Sequence, residues 1–234
     1  FLDLMADGSE DERACTEKSE LSELFTGNKA DWIYSVTTLA APLNGTTAYY
    51  IKDEILSDKN ATAEELLVAC AVGLLVEPIP DGRNKLDNAG YDMEVDRAMS
   101  LCDTWETQKG VYYFSYACDV TYLDESGSRT FDRSDLELLF RGSAGRMTKW
   151  TGETPTGYKL DEKWQANDGL VNTISAIAPY NAKRTDYREG SVNSGIWNVM
   201  PIYHGDHMSL QGGLLNTNNI RLLYAGHLSM INEL

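Results

Sequence analysis

The sequence predicts an α/β protein in which a mostly parallel sheet is flanked by helices. Two runs rich in β-branched and aromatic residues, 32–39 and 111–117, are typical of buried strands. Two stretches with helical spacing lie between them, and the order strand, helix, helix, strand favours parallel strands joined by a crossover. Because no repeat or composition change interrupts the chain, we expect a single domain over residues 1–234.

The first elements carry recognisable end signals. Ser9-Glu-Asp-Glu12 has the form of a capping box and predicts that a helix begins there. The strand at 32–39 is followed by Pro42, Asn44 and Gly45, which are typical of a loop.

The remaining elements follow from periodicity. Thr62-x-x-Glu65 predicts the start of a helix that contains the apolar run 66–76, and residues 92–108 have the spacing of a second helix. Residues 121–163 lack a sustained period and predict loops over the sheet, whereas 220–231 predicts a closing amphipathic helix.

The apolar run 66–76 has two interpretations. It is about half the ~20 residues that a membrane-spanning helix needs, so we expect no transmembrane segment. A helix that is apolar on nearly all sides is usually buried in a core. A mobile lid over a binding site is the alternative, and the sequence leaves both open.

Charge and cysteine content exclude several classes. Acidic residues outnumber basic ones by 36 to 20, and the net charge of −16 would repel nucleic acid. The cysteines are widely spaced and form no C-x-x-C pair, so they predict neither a zinc ribbon nor a thioredoxin motif, and their redox state stays open: Cys15, Cys70, Cys102 and Cys118.

The chain contains three histidines, and any imidazole base must be one of them. His227 falls in the predicted closing helix, where a packing role is the simpler interpretation. His204 and His207 lie in a loop-like segment that could present a side chain at a rim, so one of these two is the candidate base. They could also bind a metal ion, but no third ligand accompanies them, which makes this the weaker hypothesis.

A candidate acid lies in the turn Asn167-Asp168-Gly169, 39 positions before His207. Taken alone, this motif is most simply a solvated turn aspartate. However, α/β-hydrolases place their triad along the chain in the order serine, acid, histidine, and Asp168 before His207 agrees with that order.

Three segments resemble the bacillary and staphylococcal true lipases. Ser35-Val-Thr-Thr-Leu-Ala-Ala-Pro-Leu-Asn-Gly-Thr-Thr47 is similar to their SVTTIATPHDGTT, and Trp164-Gln-Ala-Asn-Asp-Gly-Leu-Val-Asn-Thr173 is similar to their WLENDGIVNT. Gly195-Ile-Trp-Asn-Val-Met200, followed by Gly205-Asp-His-Met208, resembles GVWNDMGTYNVDHL. Near the amino terminus, 7–13 and 21–25 are similar to the stretch that follows the nucleophile elbow of that family.

This resemblance implies an α/β-hydrolase fold and a secreted carboxylic ester hydrolase, either a triacylglycerol lipase or a lipid esterase. Carried over position by position, it implies Asp168 as the catalytic acid and His207 as the general base, with Asp206 directly before the histidine. The implied partners are a lipid or ester substrate and a lipid–water interface. Trp164, Trp197 and Asn198 would shape the two loops, although packing alone also explains the tryptophans.

The nucleophilic serine is missing from the sequence, since no G-x-S-x-G motif occurs in the 234 residues. The resemblance places that serine upstream of Phe1, so we expect an N-terminally truncated α/β-hydrolase domain that is inactive alone. Ser143 in Arg-Gly-Ser-Ala-Gly145 does not have the required spacing and lacks a preceding strand. A non-catalytic surface-binding module on the same scaffold remains the alternative.

The sequence assigns no metal ion or other cofactor. Ser209 and Leu214 stand where the family carries acidic calcium ligands, and Ca²⁺ needs charged oxygen ligands, so we assign no calcium site. Lys85-Leu-Asp87 resembles part of the family's zinc site but lacks the Trp-Gly that follows it, which leaves zinc open.

Overall fold

A parallel sheet organises the residues that this computed structural model describes, which are 2–76, 89–213 and 219–234. These residues form ten strands: β1 Ser35–Leu39, β2 Tyr112–Tyr116, β3 Cys118–Asp119, β4 Thr121–Leu123, β5 Arg129–Phe131, β6 Gly152–Glu153, β7 Lys159–Leu160, β8 Arg184–Asp186, β9 Trp197–Val199 and β10 Tyr203–His204. They also form nine α-helices: α1 Leu2–Asp7, α2 Glu10–Cys15, α3 Ala48–Ser57, α4 Ala63–Val76, α5 Ala89–Asp92, α6 Val95–Cys102, α7 Arg141–Met147, α8 Thr173–Ile177 and α9 Arg221–Asn232. Short 3-10 turns lie at Glu23–Phe25, Ala30–Trp32, Arg133–Asp135, Leu138–Phe140, Glu162–Trp164 and Ser209–Gln211.

The main sheet has four strands in the order β1-β2-β9-β8, and all neighbours run parallel. Phe114 in β2 lies between Thr37 of β1 and Asn198 of β9. Strands β3 and β10 pair in parallel just beyond the ends of β2 and β9, with Cys118 opposite Tyr203. The predicted α/β class is confirmed, and the helices α3 to α6 form the predicted crossover between β1 and β2.

Two helix starts follow the predicted capping chemistry. The backbone amide of Glu65 donates to Thr62 Oγ1 over 3.3 Å, and the amide of Thr62 donates to a carboxylate oxygen of Glu65 over 2.7 Å. At α2, Ser9 Oγ accepts from the amide of Glu12 over 3.3 Å. Both predicted helix starts are therefore confirmed, because each side chain satisfies an amide that the first helical turn leaves unpaired.

Two predicted elements are shorter than expected. The first strand begins at Ser35 because residues 30–32 form a 3-10 turn. The single helix predicted over 92–108 is wrong. Two helices, α5 and α6, are separated at Glu94, whose backbone is extended, and the carbonyl of Met93 accepts from the amide of Thr46 over 2.9 Å. The second helix ends at Cys102. A tertiary hydrogen bond thus interrupts a helix that local periodicity favours.

Over residues 63–70, where its side chains are described, the helix α4 is buried on one side. Ala69 packs with Ile51 and Ile55 of α3 and with Met147 of α7, whereas Leu66 and Leu67 are exposed. Residues 77–88, which contain Lys85-Leu-Asp87, lie outside the described residues. Within the described ranges, every helix is too short or too polar to cross a bilayer.

The span 121–163 contains more regular structure than the predicted loops. Two antiparallel hairpins, β4/β5 and β6/β7, flank the helix α7. In the first hairpin, Asp124 Oδ1 accepts from the amides of Ser126 and Ser128 over 2.8 and 3.0 Å. Strands of two or three residues are too short to show alternation, so the sequence pattern did not reveal them.

The closing helix α9 lies within one residue of its predicted bounds. Its partly buried residues Leu223, Met230 and Ile231 pack against the core cluster that contains Phe114 and Tyr116 of β2. All four cysteines are free thiols, of which Cys15 and Cys70 are exposed and Cys102 and Cys118 are buried.

Candidate active site

The acid turn, residues 167–172, holds Asp168 in a fixed orientation. Asn167 and Asn172 pair as an isolated antiparallel bridge at its base, and the amide of Val120 ties it to the end of β3 by donating to Asn167 O over 3.1 Å. Asp168 Oδ1 accepts from the amides of Leu170 and Val171 over 2.9 and 2.7 Å. These two bonds leave Oδ2 to face another group.

Gly169 is required by the shape of this turn. Its φ of +92° lies in the left-handed region that L-residues with a side chain rarely adopt. A Cβ at this position would also lie 2.6 Å from the Cβ of Phe140. The glycine that follows Asp168 therefore allows the turn to pack against the segment that contains Phe140.

His207 lies in the loop after β10 and contacts Asp168 twice. Its ring Nδ1 lies 3.0 Å from Asp168 Oδ2, and its backbone amide donates to Asp168 O over 2.9 Å. The structure therefore brings together the two residues that the sequence predicted as acid and base. Asp168 is only 1 % exposed, so the interpretation as a solvated turn aspartate is wrong.

This contact determines the chemistry of the imidazole. A carboxylate can only accept, so Nδ1 of a neutral ring carries the proton and Nε2 becomes the basic nitrogen. Burial lowers the pKa of His207, but the charge and hydrogen bond of Asp168, together with the charge of Asp206, outweigh burial and raise it. The side chain keeps 18 % of its surface exposed, and the ring of Phe140 lies edge-on at 6.1 Å between centroids. An imidazole held in this way can accept a proton at Nε2 from a group that reaches it.

Asp206 anchors the histidine loop. Its buried carboxylate accepts from the amide of Glu137 over 2.8 Å, from the amide of Met208 over 3.1 Å and from Ser209 Oγ over 2.9 Å. In the sequence, only its place before His207 distinguishes Asp206. Ser209, which stands where the family has an acidic residue, donates a hydrogen bond to this carboxylate.

The other two histidines lie apart from this pair. His204 is largely exposed, and its Nε2 lies 3.1 Å from a carboxylate oxygen of Asp135. His227 is buried, with Nε2 at 2.7 Å from Thr37 Oγ1 and Nδ1 at 3.0 Å from Tyr116 OH. The interpretation of His227 as a packing residue agrees with this burial. Among the residues with described positions, no three His, Cys, Asp or Glu side chains group as a metal site would require, and Leu214 lies outside those residues.

Ser143 has a structural environment. It is buried in α7, and its hydroxyl donates to the carbonyl oxygens of Phe140 and Gly169. A nucleophile elbow places its serine at an exposed turn after a strand, which is a different setting. The hydroxyl instead links α7 to the acid turn.

Hydrogen bonds join two of the quoted motifs, and the sequence did not predict this contact. Thr46 Oγ1 donates to Leu170 O over 2.6 Å, and the amide of Thr47 donates to Asn172 Oδ1 over 2.8 Å. The loop after β1 is thereby bonded to the acid turn. The only signal for this contact in the sequence was that both segments belong to motifs of the same family.

The tryptophans and Asn198 named from the motifs have packing roles. Trp164 and Trp197 are buried in two different core clusters, and Asn198 Nδ2 donates to Tyr113 O in the neighbouring strand over 3.0 Å. Only Trp164 borders the acid turn, since its carbonyl accepts from Asn172 Nδ2.

The family described as "Lipase-like, C-terminal domain" matches residues 83–221, which is more than half of the chain. The chain belongs to this lipase-like family. It is 26% identical over 238 residues to Lipase 1 of Staphylococcus aureus strain MRSA252, covering 90% of this chain and 33% of that protein. It is also 26% identical over 219 residues to Lipase 2 of Staphylococcus aureus, covering 82% of this chain and 30% of the relative. The lipase-like chain thus spans about a third of the curated relatives it matches.

Solved structures of bacterial proteins share the fold of this lipase-like chain. EstA from Clostridium botulinum superposes with a TM-score of 0.74 at 27% identity, covering 100% of this chain and 61% of its own. Lipase 1 from Pelosinus fermentans superposes with a TM-score of 0.70 at 26% identity, covering 100% and 68%. Staphylococcus hyicus lipase, at 22% identity and a TM-score of 0.66 over 98% and 65%, supports the fold alone.

Proposed function

We propose that the chain supplies the acid and the base of a serine carboxylic ester hydrolase, either a triacylglycerol lipase or a lipid esterase. The observation that carries this proposal is the 3.0 Å contact between His207 Nδ1 and the buried carboxylate of Asp168. The names of the similar proteins, which include several lipases, support the same reaction class.

In the proposed mechanism, Nε2 of His207 accepts the proton of a serine hydroxyl as its oxygen attacks the ester carbonyl. The same nitrogen then returns the proton to the departing alcohol. Asp168 keeps the second ring nitrogen protonated and stabilises the imidazolium while it exists. The two amides on Oδ1 prevent the carboxylate from rotating away, so the ring is held in position before the substrate arrives.

The serine comes, in this proposal, from a polypeptide segment outside the 234 residues, as part of an α/β-hydrolase fold. Two observations support this. No G-x-S-x-G motif occurs in the sequence, and within the described sheet β1 is an edge strand that pairs with β2 alone. The acid turn is bonded to Val120 directly after β3, and His207 lies in the loop after β10. Because parallel strands end at one side of a sheet, a further parallel strand at the β1 edge would end on the same side as Asp168 and His207.

We further propose a lipid or other ester as substrate, action at a lipid–water interface and secretion of the whole protein. The similarity to lipases supports all three. No cofactor takes part in the proposed mechanism, because proton transfer and nucleophilic attack need only the three side chains.

The test compares His207→Ala with His204→Ala in the polypeptide that includes the preceding coding sequence, using a soluble p-nitrophenyl ester. We expect His207→Ala to abolish turnover and His204→Ala to retain it, because His204 is largely exposed and paired with Asp135 instead. Full turnover by His207→Ala would contradict the proposal. If the preceding sequence carries another residue in place of the elbow serine and the protein is inactive, the surface-binding module becomes the better hypothesis.

A further inference from the structure

The side chain of Asn172 joins three segments at the base of the acid turn. It is 0 % exposed. Its Oδ1 accepts from the amide of Thr47 over 2.8 Å, and its Nδ2 donates to Thr47 Oγ1 over 2.9 Å and to the carbonyl of Trp164. The carboxamide therefore binds the loop after β1, the 3-10 turn before the acid turn and, through its own backbone, the acid turn itself.

The position of Asn172 in the chain makes this use of its side chain unusual. Asn172 is the N-cap residue of α8, and an N-cap asparagine commonly accepts a hydrogen bond from an amide of its own helix. Asn172 makes no such bond, because its side chain is turned towards Thr47. The side chain of Asn172 therefore does not cap α8. Its carboxamide instead bonds to Thr47, which lies 125 positions earlier in the sequence.

A second contact ties the same loop to the catalytic carboxylate. Thr46 Oγ1 donates to the carbonyl of Leu170 over 2.6 Å, and the amide of Val171, which belongs to the same peptide group, donates to Asp168 Oδ1 over 2.7 Å. A displacement of Thr46 and Thr47 would therefore move a peptide that holds the carboxylate.

We propose that Asn172 is a positioning residue, which together with Thr46 and Thr47 sets the acid turn so that Asp168 Oδ2 meets His207 Nδ1. The consequence for catalysis rests on the proposed function, but the effect on the imidazole does not. It is measured at the ring of His207 in the same polypeptide that is used for the turnover assay, whether or not that polypeptide hydrolyses esters.

The experiment measures the ring tautomer and the titration of His207 by ¹⁵N NMR in Asn172→Ala and in the matched control Asn198→Ala. Both asparagines are 0 % exposed and donate from Nδ2 to a backbone carbonyl, but Asn198 contacts β2 and residue 193 rather than the acid turn. Asp168 and Asp206 are the charged groups that act on His207, and neither is changed. Asparagine and alanine are both uncharged, so neither substitution removes a charge near His207. A changed titration of His207 therefore reports a changed position of Asp168.

We expect Asn172→Ala to weaken the preference for the Nδ1-protonated tautomer and to bring the pKa of His207 down, whereas Asn198→Ala leaves both unchanged. In the active protein, Asn172→Ala should lower kcat by roughly 10- to 100-fold with little change in KM, as a displaced catalytic group does. An unchanged tautomer and pKa in folded Asn172→Ala would overturn the proposal.

A second variant keeps the test decisive if Asn172→Ala does not fold. Thr47→Val removes the hydroxyl that accepts from Asn172 Nδ2 but keeps the backbone amide that donates to Oδ1. We expect a smaller change of the same sign at His207, and no change would again overturn the proposal. The two proposals can fail separately. If Asn172→Ala changes the tautomer or pKa of His207 but His207→Ala keeps full ester turnover, Asn172 remains a positioning residue and the hydrolase proposal fails.

Discussion

The backbone amide of His207 donates to the carbonyl of Asp168 over 2.9 Å, directly beside the 3.0 Å contact between the side chains of the same two residues. The two loops are therefore joined by their main chains as well as by the imidazole and the carboxylate. Because the main-chain bond does not involve either side chain, it should persist when one of them is replaced.

Asp168→Asn should collapse ester turnover by about four orders of magnitude in the active protein while the fold is retained, since an amide can present its donor to Nδ1 and impose the wrong tautomer. The measurement is kcat with a soluble ester, together with circular dichroism. Asp186→Asn is the control, because Asp186 is an exposed aspartate in β8. Near-normal turnover by Asp168→Asn would remove Asp168 from the mechanism.

His207 should titrate above the ordinary imidazole value of 6.5, because the charge and hydrogen bond of Asp168 and the charge of Asp206 outweigh the opposing effect of burial on its pKa. Catalysis needs the neutral ring, so ester turnover should rise as the pH passes through this raised pKa. NMR titration of the ring and the pH profile of kcat/KM should agree. A titration at or below the ordinary value would refute the expectation.

The same raised pKa makes the protonated form of His207 a stabilising group. Its contribution is fully present below the unfolded-state value of 6.5 and is lost as the pH rises through the folded-state pKa. Urea denaturation at several pH values should show this loss, and His207→Gln should lack it. The idea fails if both proteins have the same pH dependence over that interval.

His227 should have the opposite effect on stability. Burial lowers its pKa below 6.5, so its contribution is present above that value and is lost as the pH falls through the folded-state pKa. His227→Gln cannot titrate and should unfold with less dependence on acid pH, although losing contacts to Thr37 and Tyr116 should cost about 1–3 kcal/mol at neutral pH. His204→Gln, at a largely exposed site, is the control for urea denaturation. Equal acid sensitivity of His227→Gln and the parent chain would count against this assignment.

Gly142 and Gly145 of α7 form a matched pair for testing the contact with α4. A Cβ on Gly142 would lie 2.5 Å from the Cα of Glu65, whereas one on Gly145 meets only the Phe131 ring at 3.8 Å. We expect Gly142→Ala to destabilise the fold by about 1–3 kcal/mol through overpacking. Gly145→Ala should be neutral or stabilise it by up to about 1 kcal/mol, because alanine favours a helix. Equal unfolding free energies for the two variants would show that the helices do not approach this closely.

Signals in the amino-acid sequence were enough to predict the α/β class, the capped helix starts and the two residues of the candidate acid and base. Capping boxes and strand composition act through neighbouring residues, so they can be read locally. The pair Asp168 and His207 was predicted from chain order and from resemblance to a family, both of which are properties of the sequence.

How Asp168 and His207 are held could be seen only in the folded chain. The break between α5 and α6 depends on an amide from Thr46, and the orientation of Asp168 depends on the bonds that Thr46 and Asn172 make. The bond from Thr46 to Met93 joins positions more than 40 residues apart, and the bonds from the Thr46-Thr47 loop to the acid turn join positions more than 120 apart. No local periodicity encodes contacts over such separations. Such bonds depend on which groups packing brings together. Burial makes an unpaired polar group costly, so the folded chain favours the arrangement in which these groups are paired.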